Sequence, residues 1–284
     1  MTTVLVTGAN GQLANCINSL ITIDKAYSFI FTDSKKLDIS SNKAVSDFFL
    51  NQNIDWCINC AAYTNVDKAE TEQEKAFNVN TLGAKNLAIA CQENNVKLIH
   101  ISTDFVFDGI QSKAYNESDK TNPLSVYGQT KLDGENEIKT HLNKHFIIRT
   151  SWLYSEYGNN FLKTMLRLAK EKSELNIVAD QIGTPTYAKD LAKVILKIIK
   201  TNNSRFGVYH YSNEGVASWY DFAKEVFSLN QVSIKVNPIK SQAYLTPAKR
   251  PAFSVLDKTK IKSNTEITVP YWRDSLKEAF LNIK

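Results

Sequence analysis

Short apolar strand segments alternate with helical segments along most of this 284-residue chain. The strand segments are rich in Val, Ile and Phe, and stretches with helical periodicity separate them. Strands that alternate with helices predict crossover connections and a parallel sheet with helices on both faces. The predicted strands are 2–7, 27–32, 55–60, 96–102, 145–150 and one near 175–179, and the predicted helices are 11–22, 41–52, 70–94, 125–142 and 159–172.

A glycine turn follows the first predicted strand. Gly8, Gly11 and Ala14 are spaced three residues apart, and a helix-compatible stretch begins at Gly11. A strand, a glycine turn and a helix in this order direct backbone N–H groups and a helix N-terminus toward a pyrophosphate. The spacing differs from the usual Gly-x-Gly-x-x-Gly and alone also fits an ordinary tight turn. Its place at the start of a βαβ pattern favours dinucleotide binding.

Residues suited to binding or catalysis directly follow five of the predicted strands. In open α/β sheets, ligands bind outside the carboxyl ends of the strands, where the strand order reverses. We therefore expect one crevice to be lined by these strand ends: Gly8, Asp33, Ala61-Ala62-Tyr63, Thr103 and Thr150-Ser151-Trp152. The pattern predicts an α/β fold of the Rossmann type, with a doubly wound parallel sheet.

Tyr127 and Lys131 lie four residues apart in a predicted helix. Positions four apart share one helix face, so the phenol and the ammonium point the same way. A neighbouring ammonium favours the ionised phenol, whose pKa is otherwise about 10. Tyr127 is therefore expected to give a proton to a carbonyl oxygen that is becoming an alkoxide, while Thr103 steadies that oxygen. This chemistry is typical of a carbonyl reductase.

The second half of the chain is less regular than the first. Helical stretches near 187–200, 218–229 and 271–282 alternate with short strands near 207–211 and 234–236. We predict a dinucleotide-binding domain over 1–150, continued by parts of 165–215. Residues 151–284 are expected to form mainly a smaller, interleaved substrate-binding lobe with discontinuous boundaries.

Composition excludes several classes of protein. Hydrophobic residues make up 43% of the chain and charged residues 22%, which suits one large or two coupled globular domains. The net charge of +5 is spread along the chain without a basic run, so no nucleic-acid partner is expected. No apolar stretch is long enough to span a bilayer, and no secretory leader pattern is present. We expect a cytoplasmic protein without a membrane partner.

The cysteines and histidines show no pattern of a metal or catalytic site. Cys57 and Cys60 are spaced like half of a metal site, but they lie in the predicted strand 55–60, where residues three apart face opposite sides. No second pair completes a site. We expect buried free thiols at Cys16, Cys57, Cys60 and Cys91, and assign no chemistry to His100, His141, His145 and His210.

These motifs together resemble the extended short-chain dehydrogenase/reductase superfamily and, within it, the family of dTDP-4-dehydrorhamnose reductases. The Tyr-x-x-x-Lys pair is shared across the superfamily, whereas other stretches narrow the resemblance to this family. They lie at 61–70 (AAYTNVDKAE), 102–109 (STDFVFDG), 123–131 (PLSVYGQTK), 149–154 (RTSWLY) and 249–257 (KRPAFSVLD). The resemblance covers essentially the whole chain. It implies reduction of the C4 ketone of dTDP-4-dehydro-L-rhamnose by NADPH or NADH.

The resemblance also implies roles for matching residues. Tyr127 would be the proton donor, Lys131 would hold the nicotinamide ribose, and Thr103 would bond the C4 carbonyl. The implied cofactor contacts are Gly11, Gln12 and Leu13 at the pyrophosphate, Asp38 and Ile39 at the adenine, and Ala61, Ala62 and Tyr63 near the reactive end. The implied substrate contacts are Asp104 and Trp152 at the deoxysugar. Arg250 suits a diphosphate clamp, because guanidinium pairs bidentately with phosphate oxygens.

Structural alternatives stay open at four of these positions. Trp152 also fits a core aromatic residue, and Asp104 also fits the cap of a turn. Tyr63 also fits a packing residue, and Arg250 also fits a surface ion pair.

Some members of the family are described as dimers joined through a magnesium site made of glutamates. Asn15 stands near the place of an early glutamate, so a monomer or a homodimer is expected. Magnesium stays an open alternative, but no full ligand set is identified and no metal-binding residue is predicted.

A few residues bear on the choice of cofactor and on competing functions. Asp33 can accept from a ribose 2′-hydroxyl, whereas Lys35 and Lys36 can attract a 2′-phosphate, so both NADH and NADPH are expected to work. A 4,6-dehydratase needs a second carboxylate after Thr103-Asp104, where this chain has Phe105. A 4-epimerase and a non-catalytic, cofactor-binding regulatory subunit remain the alternatives to the reductase.

Overall fold

Twelve strands run through residues 1–21 and 26–283, the part of the chain that the computed structural model describes. In chain order they are β1 (Thr2–Thr7), β2 (Tyr27–Thr32), β3 (Trp56–Asn59), β4 (Lys97–Thr103), β5 (His145–Thr150), β6 (Leu153–Tyr154), β7 (Glu174–Val178), β8 (Ile182–Gly183), β9 (Thr186–Tyr187), β10 (Gly207–His210), β11 (Ala217–Ser218) and β12 (Lys235–Ile239).

Eleven α-helices lie between and after these strands in the same described ranges. They are α1 (Gln12–Leu20), α2 (Asn42–Leu50), α3 (Val66–Ala69), α4 (Gln73–Phe77), α5 (Gly83–Glu93), α6 (Val126–His141), α7 (Phe161–Glu171), α8 (Ala188–Lys200), α9 (Trp219–Leu229), α10 (Thr259–Thr265) and α11 (Trp272–Asn282).

Six parallel strands form the central sheet, in the order β10-β5-β4-β3-β1-β2. From β1 the chain moves to β2 on one side, and β3 then lies on the other side of β1. The strand order therefore reverses at β1, and a crevice opens at the carboxyl ends of β1 and β3. The predicted doubly wound α/β fold is confirmed.

Helices cover both faces of this sheet. Val4 and Val6 of β1 pack in one apolar cluster with α1 and α8, while Leu5 packs in another with α2 and α5. Successive side chains of a strand point to opposite faces, so the continuous apolar run of β1 serves both clusters. This is why the central strands appear in the sequence as uninterrupted hydrophobic segments.

The sixth strand of the sheet differs from the sequence-based expectation. The segment near 175–179 was expected in the alternating series, but β7 pairs with β12 outside the central sheet. The strand that completes the sheet is β10, which pairs with β5. The residues of β7 are partly exposed in alternation, as in a strand covered on one side, whereas β3 is buried throughout.

The predicted helix 70–94 is also divided. It consists of α4, a π-helical segment Asn78–Leu82 and α5. π-helical insertions cost regular hydrogen bonds and frequently occur at functional sites. Here the insertion presents the Asn80 side chain to Tyr63, as described below. The predicted helix 11–22 begins at Gln12, and its last residue, 22, lies outside the described residues.

A third apolar cluster lies outside the central sheet. Side chains from α7, α9, α11 and β7 pack together there, including Leu162, Phe222 and Leu276. In contrast, α8 and β10 belong with the central sheet. The predicted domain boundaries of 1–150, with parts of 165–215, and 151–284 remain a prediction.

The cysteines lie as free thiols in different parts of the core. Cys57 packs in the cluster with α2 and α5, while Cys60 contacts the cluster with α1 and α8. The predicted divergence of these two sulfurs to opposite faces is confirmed. Cys16, Cys57 and Cys91 are buried, whereas Cys60 is half-buried.

Among the described helices, none combines the length and hydropathy that crossing a bilayer requires.

Helix α6 lies unusually close to the π-helical segment, and Gly134 makes this approach possible. A Cβ atom at Gly134 would lie 2.2 Å from the Asn80 carbonyl oxygen. Replacing a helix-interior glycine with alanine ordinarily stabilises a protein by about 0.5–1 kcal/mol. We predict the opposite for Gly134→Ala, a loss of about 1–3 kcal/mol in the free energy of unfolding, because the backbone must shift. Urea denaturation measures this.

Asn136→Ala is the matched control, since Asn136 lies on the exposed side of the same helix. It should change the free energy of unfolding by less than about 0.5 kcal/mol. A Gly134→Ala protein more stable than the wild type would contradict the close packing of α6.

Candidate active site

The turn after β1 brings two strand ends into close contact. Gly8 has φ +71°, and a Cβ atom there would lie 2.7 Å from the Ala61 nitrogen, so only glycine fits without strain. Gly11 occupies the N-cap position of α1. Among the described residues, no side chain caps this helix and no acidic residue stands in its first turn. The first-turn N–H groups are thus free to bind an anion.

Gln12 and Leu13 have their side chains turned away from this turn. Leu13 is buried in the core. The Gln12 Oε1 atom accepts hydrogen bonds from Ser155 Oγ at 3.0 Å and from Asn160 Nδ2 at 2.8 Å. Only the backbone N–H groups of Gln12 and Leu13 are therefore suited to a pyrophosphate. The side chain of Gln12 instead ties α1 to the segment that follows β6.

The segment Ala61-Ala62-Tyr63 follows β3 and is held by two asparagines. Asn59 Oδ1 accepts from the Ala61 N–H at 3.1 Å. Asn80 Oδ1 accepts from the Tyr63 N–H at 2.8 Å, and Asn80 Nδ2 donates to the Tyr63 carbonyl at 3.1 Å. The Tyr63 hydroxyl donates to Glu72 at 2.9 Å. All three residues are half-buried, and this loop is fixed by side-chain bonds to its backbone.

The end of β2 carries the acidic residues expected near an adenosine. Asp33 Oδ1 accepts from the N–H groups of Lys35 and Lys36 at 3.1 and 3.0 Å, and these backbone bonds lower its pKa. Asp38 is exposed and lines an open groove of about 770 Å³. The side chain of Ile39 is buried against Gly83, and its contact with an adenine stays a prediction.

Thr103 and Asp104 form a buried pair at the end of β4. Thr103 Oγ1 donates to Asp104 Oδ1 at 3.1 Å and accepts from the Phe105 N–H at 3.2 Å. Asp104 is 2% exposed, and its Oδ2 atom has no hydrogen-bond partner among the described residues. Burial raises the pKa of Asp104 to about 6, although the hydroxyls of Ser254 and Thr103 lower it in part. An unpaired, buried carboxylate oxygen is costly unless a ligand donates to it.

Tyr127 lies in the first turn of α6, above this pair. The Ser125 hydroxyl begins the helix by accepting from the Gly128 N–H at 3.2 Å. The Tyr127 ring packs edge-on against Phe105, with 5.6 Å between centroids. Burial raises the pKa of Tyr127 to about 12, and the Thr103 hydroxyl opposes this rise.

Lys131 faces the sheet one turn further along α6 and is 1% exposed. Its Nζ atom donates to the Ile101 carbonyl at 2.7 Å and lies 3.1 Å from His100 Nε2. Burial lowers the pKa of Lys131 to about 8. Burial dominates the pKa of Tyr127, and Lys131 is not among the groups that shift it. The expectation that Lys131 lowers the pKa of Tyr127 stays a prediction.

Trp152 follows β5 in a strained backbone conformation. Its φ is +47°, which is uncommon for a residue with a side chain. The indole stacks on Trp219, with 3.6 Å between ring centroids and 9° between planes. The ring is half-buried and fixed in direction by this stack. The strain marks Trp152 as a candidate for function.

Arg250 does not lie free in this structure. Its two terminal nitrogens pair bidentately with the Asp67 carboxylate at 3.1 and 2.8 Å. One of them also donates to Thr246 Oγ1 at 2.6 Å. Arg250 lowers the pKa of Asp67 in return. The alternative noted from the sequence, an ion pair, thus describes the observed contact.

The structure brings Thr103, Asp104, Tyr127 and Lys131 together at β4 and α6, with the glycine turn and the Ala61–Tyr63 segment on neighbouring strands. No group of three or more His, Cys, Asp or Glu side chains suited to a metal is found within residues 1–21 and 26–283. Sequence reasoning missed the supporting residues Asn59, Asn80, His100, Asp67 and Trp219. A signal existed for two of them, since Asn59 and His100 are polar residues inside apolar strand segments.

Comparison with known proteins identifies the family of this chain. The family model described as the RmlD substrate binding domain matches residues 1–284. A dTDP-4-dehydrorhamnose reductase of Aggregatibacter actinomycetemcomitans is 43% identical over 288 residues, which cover 98% of each chain.

Two crystal structures show the same architecture at similar identity. The dTDP-4-dehydrorhamnose reductase of Clostridium acetobutylicum is 43% identical, with a TM-score of 0.95 over 99% of each chain. The Bacillus anthracis enzyme, solved in complex with NADP, is 41% identical, with a TM-score of 0.95 over 99% of this chain and 100% of that one. The chain therefore belongs to the RmlD family, the family of the dTDP-4-dehydrorhamnose reductases.

Proposed function

We propose that this chain reduces the C4 ketone of dTDP-4-dehydro-L-rhamnose to dTDP-L-rhamnose, with NADPH or NADH as reductant. The observation that carries the proposal is the convergence of Thr103, Tyr127 and Lys131 at the carboxyl end of β4, two strands from the glycine turn. Relatives named for this activity support it, one of them solved with NADP. The product would serve the synthesis of rhamnose-containing polysaccharides.

The residues around the glycine turn fit a dinucleotide. Gly8 lets the backbone of β1 approach Ala61, and the uncapped N-terminus of α1 offers N–H groups to a pyrophosphate. Asp33 and Asp38 suit the adenosine end, where Lys35 and Lys36 are exposed and able to attract a 2′-phosphate. Both cofactors are therefore proposed to work. When bound, the nicotinamide supplies the hydride for the ketone carbon.

Tyr127 supplies the proton in this proposal. Its pKa of about 12 keeps the phenol protonated throughout the neutral range, as a proton donor must be. As negative charge develops on the ketone oxygen, that oxygen becomes basic enough to take the proton. The Thr103 hydroxyl, adjacent to Tyr127, steadies the same oxygen. Lys131 stabilises the phenolate that forms and holds the nicotinamide ribose.

Asp104 and Trp152 are proposed to hold the deoxysugar. The unpaired Oδ2 atom of Asp104 offers an acceptor to a sugar hydroxyl, which would remove the cost of its burial. The Trp152 indole, fixed by Trp219, provides a flat apolar surface for the sugar ring. These contacts would orient C4 toward the reductant.

Arg250 is proposed to bind the diphosphate of the nucleotide. A phosphate group takes the same bidentate geometry that the Asp67 carboxylate takes now. The substrate diphosphate would therefore replace the Asp67 carboxylate at the Arg250 guanidinium.

The free thiols suit a cytoplasmic protein, and the chain is proposed to act there as a monomer or homodimer.

Tyr127→Phe tests the proton donor. We expect turnover to fall by roughly two to four orders of magnitude, because the general acid is lost, while the affinity for NADPH is retained. Tyr27→Phe is the matched control, since Tyr27 lies at the amino end of β2, away from the crevice. Steady-state kinetics and a fluorescence titration of NADPH measure both effects. Near-normal turnover in Tyr127→Phe would remove this residue from the mechanism.

Arg250→Ala and Asp67→Asn together test the diphosphate clamp. Arg250→Ala should raise the KM for substrate by at least tenfold, since each charge-assisted bond contributes about 1.5–3 kcal/mol. NADPH affinity should not change. Asp67→Asn should not raise the KM, because it weakens a bond with which the substrate competes. If both variants raised the KM equally, the ion pair itself would be the functional element and the clamp would be wrong.

A further inference from the structure

A buried chain of polar side chains joins the glycine turn to the Lys131 amine. It runs from Thr7 at the end of β1 through Asn59 in β3 and His100 in β4 to Lys131 in α6. Each of these four side chains is 1% exposed. Water therefore does not compete for their hydrogen bonds, and every donor must find an acceptor within the chain.

The orientation of Asn59 follows from a backbone donor. The Ala61 N–H lies 3.1 Å from Asn59 Oδ1, and the Thr7 hydroxyl donates to the same oxygen at 2.7 Å. A backbone N–H can only donate, so the oxygen of the amide must face Ala61. The Asn59 NH₂ group then faces His100 Nδ1 at 3.0 Å.

This orientation determines the tautomer of His100. The Asn59 NH₂ group needs an acceptor, so His100 Nδ1 must be unprotonated. Burial and the nearby Lys131 hold the pKa of His100 well below its usual range, so the ring is neutral. A neutral imidazole has one N–H, and it must then lie on Nε2. That N–H points at Lys131 Nζ, 3.1 Å away.

The Lys131 amine lies opposite this N–H donor. The Nζ atom already donates to the Ile101 carbonyl at 2.7 Å. An ammonium has three donors and no acceptor, so it would oppose the His100 N–H. An uncharged amine has a lone pair and can accept this hydrogen while it still donates to Ile101. The geometry thus favours the uncharged amine.

We propose that His100 is a positioning residue for the reaction: its Nε2–H faces the Lys131 amine, favours the uncharged form and so sets the alkaline limit of activity. The lowered pKa of Lys131, about 8, agrees with this arrangement. Other titratable or charged groups near the pair are Tyr127 and Glu135 on α6, Cys60 after β3, and His145 and Arg149 on β5. Glu135 favours the ammonium, but it is paired with Arg149 at 2.7 Å.

The consequence for activity rests on the proposed function. If the Lys131 ammonium stabilises the Tyr127 phenolate, turnover should be full below the pKa of Lys131 and fall as the pH rises through about 8. His100→Gln should extend activity to higher pH, because the Gln carbonyl oxygen can take the place of Nε2 and accept from the ammonium. The alkaline pKa of turnover should rise by about one unit, a tenfold change in the proton dissociation constant.

The first experiment reads the tautomer directly, without any activity. Nitrogen NMR of the ¹⁵N-histidine-labelled protein distinguishes the two tautomers, and the His100 signal is identified by its absence in His100→Gln. Only four histidines contribute signals. We expect a neutral Nε2–H ring throughout the neutral range. An Nδ1–H tautomer or a charged ring would overturn the proposal, whatever the activity of the variant protein.

The second experiment follows Lys131 itself and then turnover. Carbon NMR of lysine labelled at Cε gives the Lys131 titration, with Lys131→Met to identify the signal. It should lie about one pH unit higher in His100→Gln than in the wild type. His210→Gln is the matched control, since His210 is equally buried but contacts Arg149 and Tyr115 instead. It should leave the Lys131 titration and the pH profile unchanged.

The outcomes separate the two proposals. An unchanged Lys131 titration in His100→Gln would overturn the role of His100, whatever the activity of the protein. A wild-type protein with the expected titration but no reductase activity would instead contradict the proposed function. A shifted titration with an unshifted turnover profile would show that Lys131 does not set the alkaline limit, and would also overturn the inference.

Discussion

The burial of the Lys131 amine between α6 and the central sheet is the constraint on which the site depends. Removing a charge from water is costly unless the group is paired, hydrogen-bonded or neutralised. Here the Ile101 carbonyl and His100 meet the amine, and Asn59 and Thr7 complete the chain of bonds behind it. The same chain ends at the backbone of Ala61, which Gly8 touches. The lysine, the loop after β3 and the glycine turn are thus one connected unit.

Two side-chain contacts join this unit to distant parts of the chain. The Gln12 side chain, just after the glycine turn, bonds to Ser155 and Asn160, so α1 and the segment after β6 are held together. Arg250 pairs with Asp67 across 183 residues of sequence. Both contacts use groups for which the sequence suggested cofactor or substrate roles.

The sequence was sufficient for a doubly wound parallel sheet, the positions of its first five strands along the chain and the proximity of Thr103, Tyr127 and Lys131, because these depend on periodicity and local spacing. It was insufficient where partners are distant in sequence. The strand β10 replaced the segment near 175–179 because the pairing of an edge strand depends on the tertiary fold. The ion pair of Arg250, the stack on Trp152 and the raised pKa of Tyr127 all arise from long-range packing. Spacing within a helix indicates a shared face but gives no measure of burial.

The central claim is that hydride from a nicotinamide and a proton from Tyr127 reduce the C4 ketone of the nucleotide sugar. Incubation with dTDP-4-dehydro-L-rhamnose and NADPH deuterated at both C4 positions of the nicotinamide, followed by proton NMR and mass spectrometry of the product, tests it most directly. We expect dTDP-L-rhamnose with a single deuterium on C4 of the sugar. Product without deuterium, deuterium at another carbon, or an epimerised ketone in place of the alcohol would contradict the account.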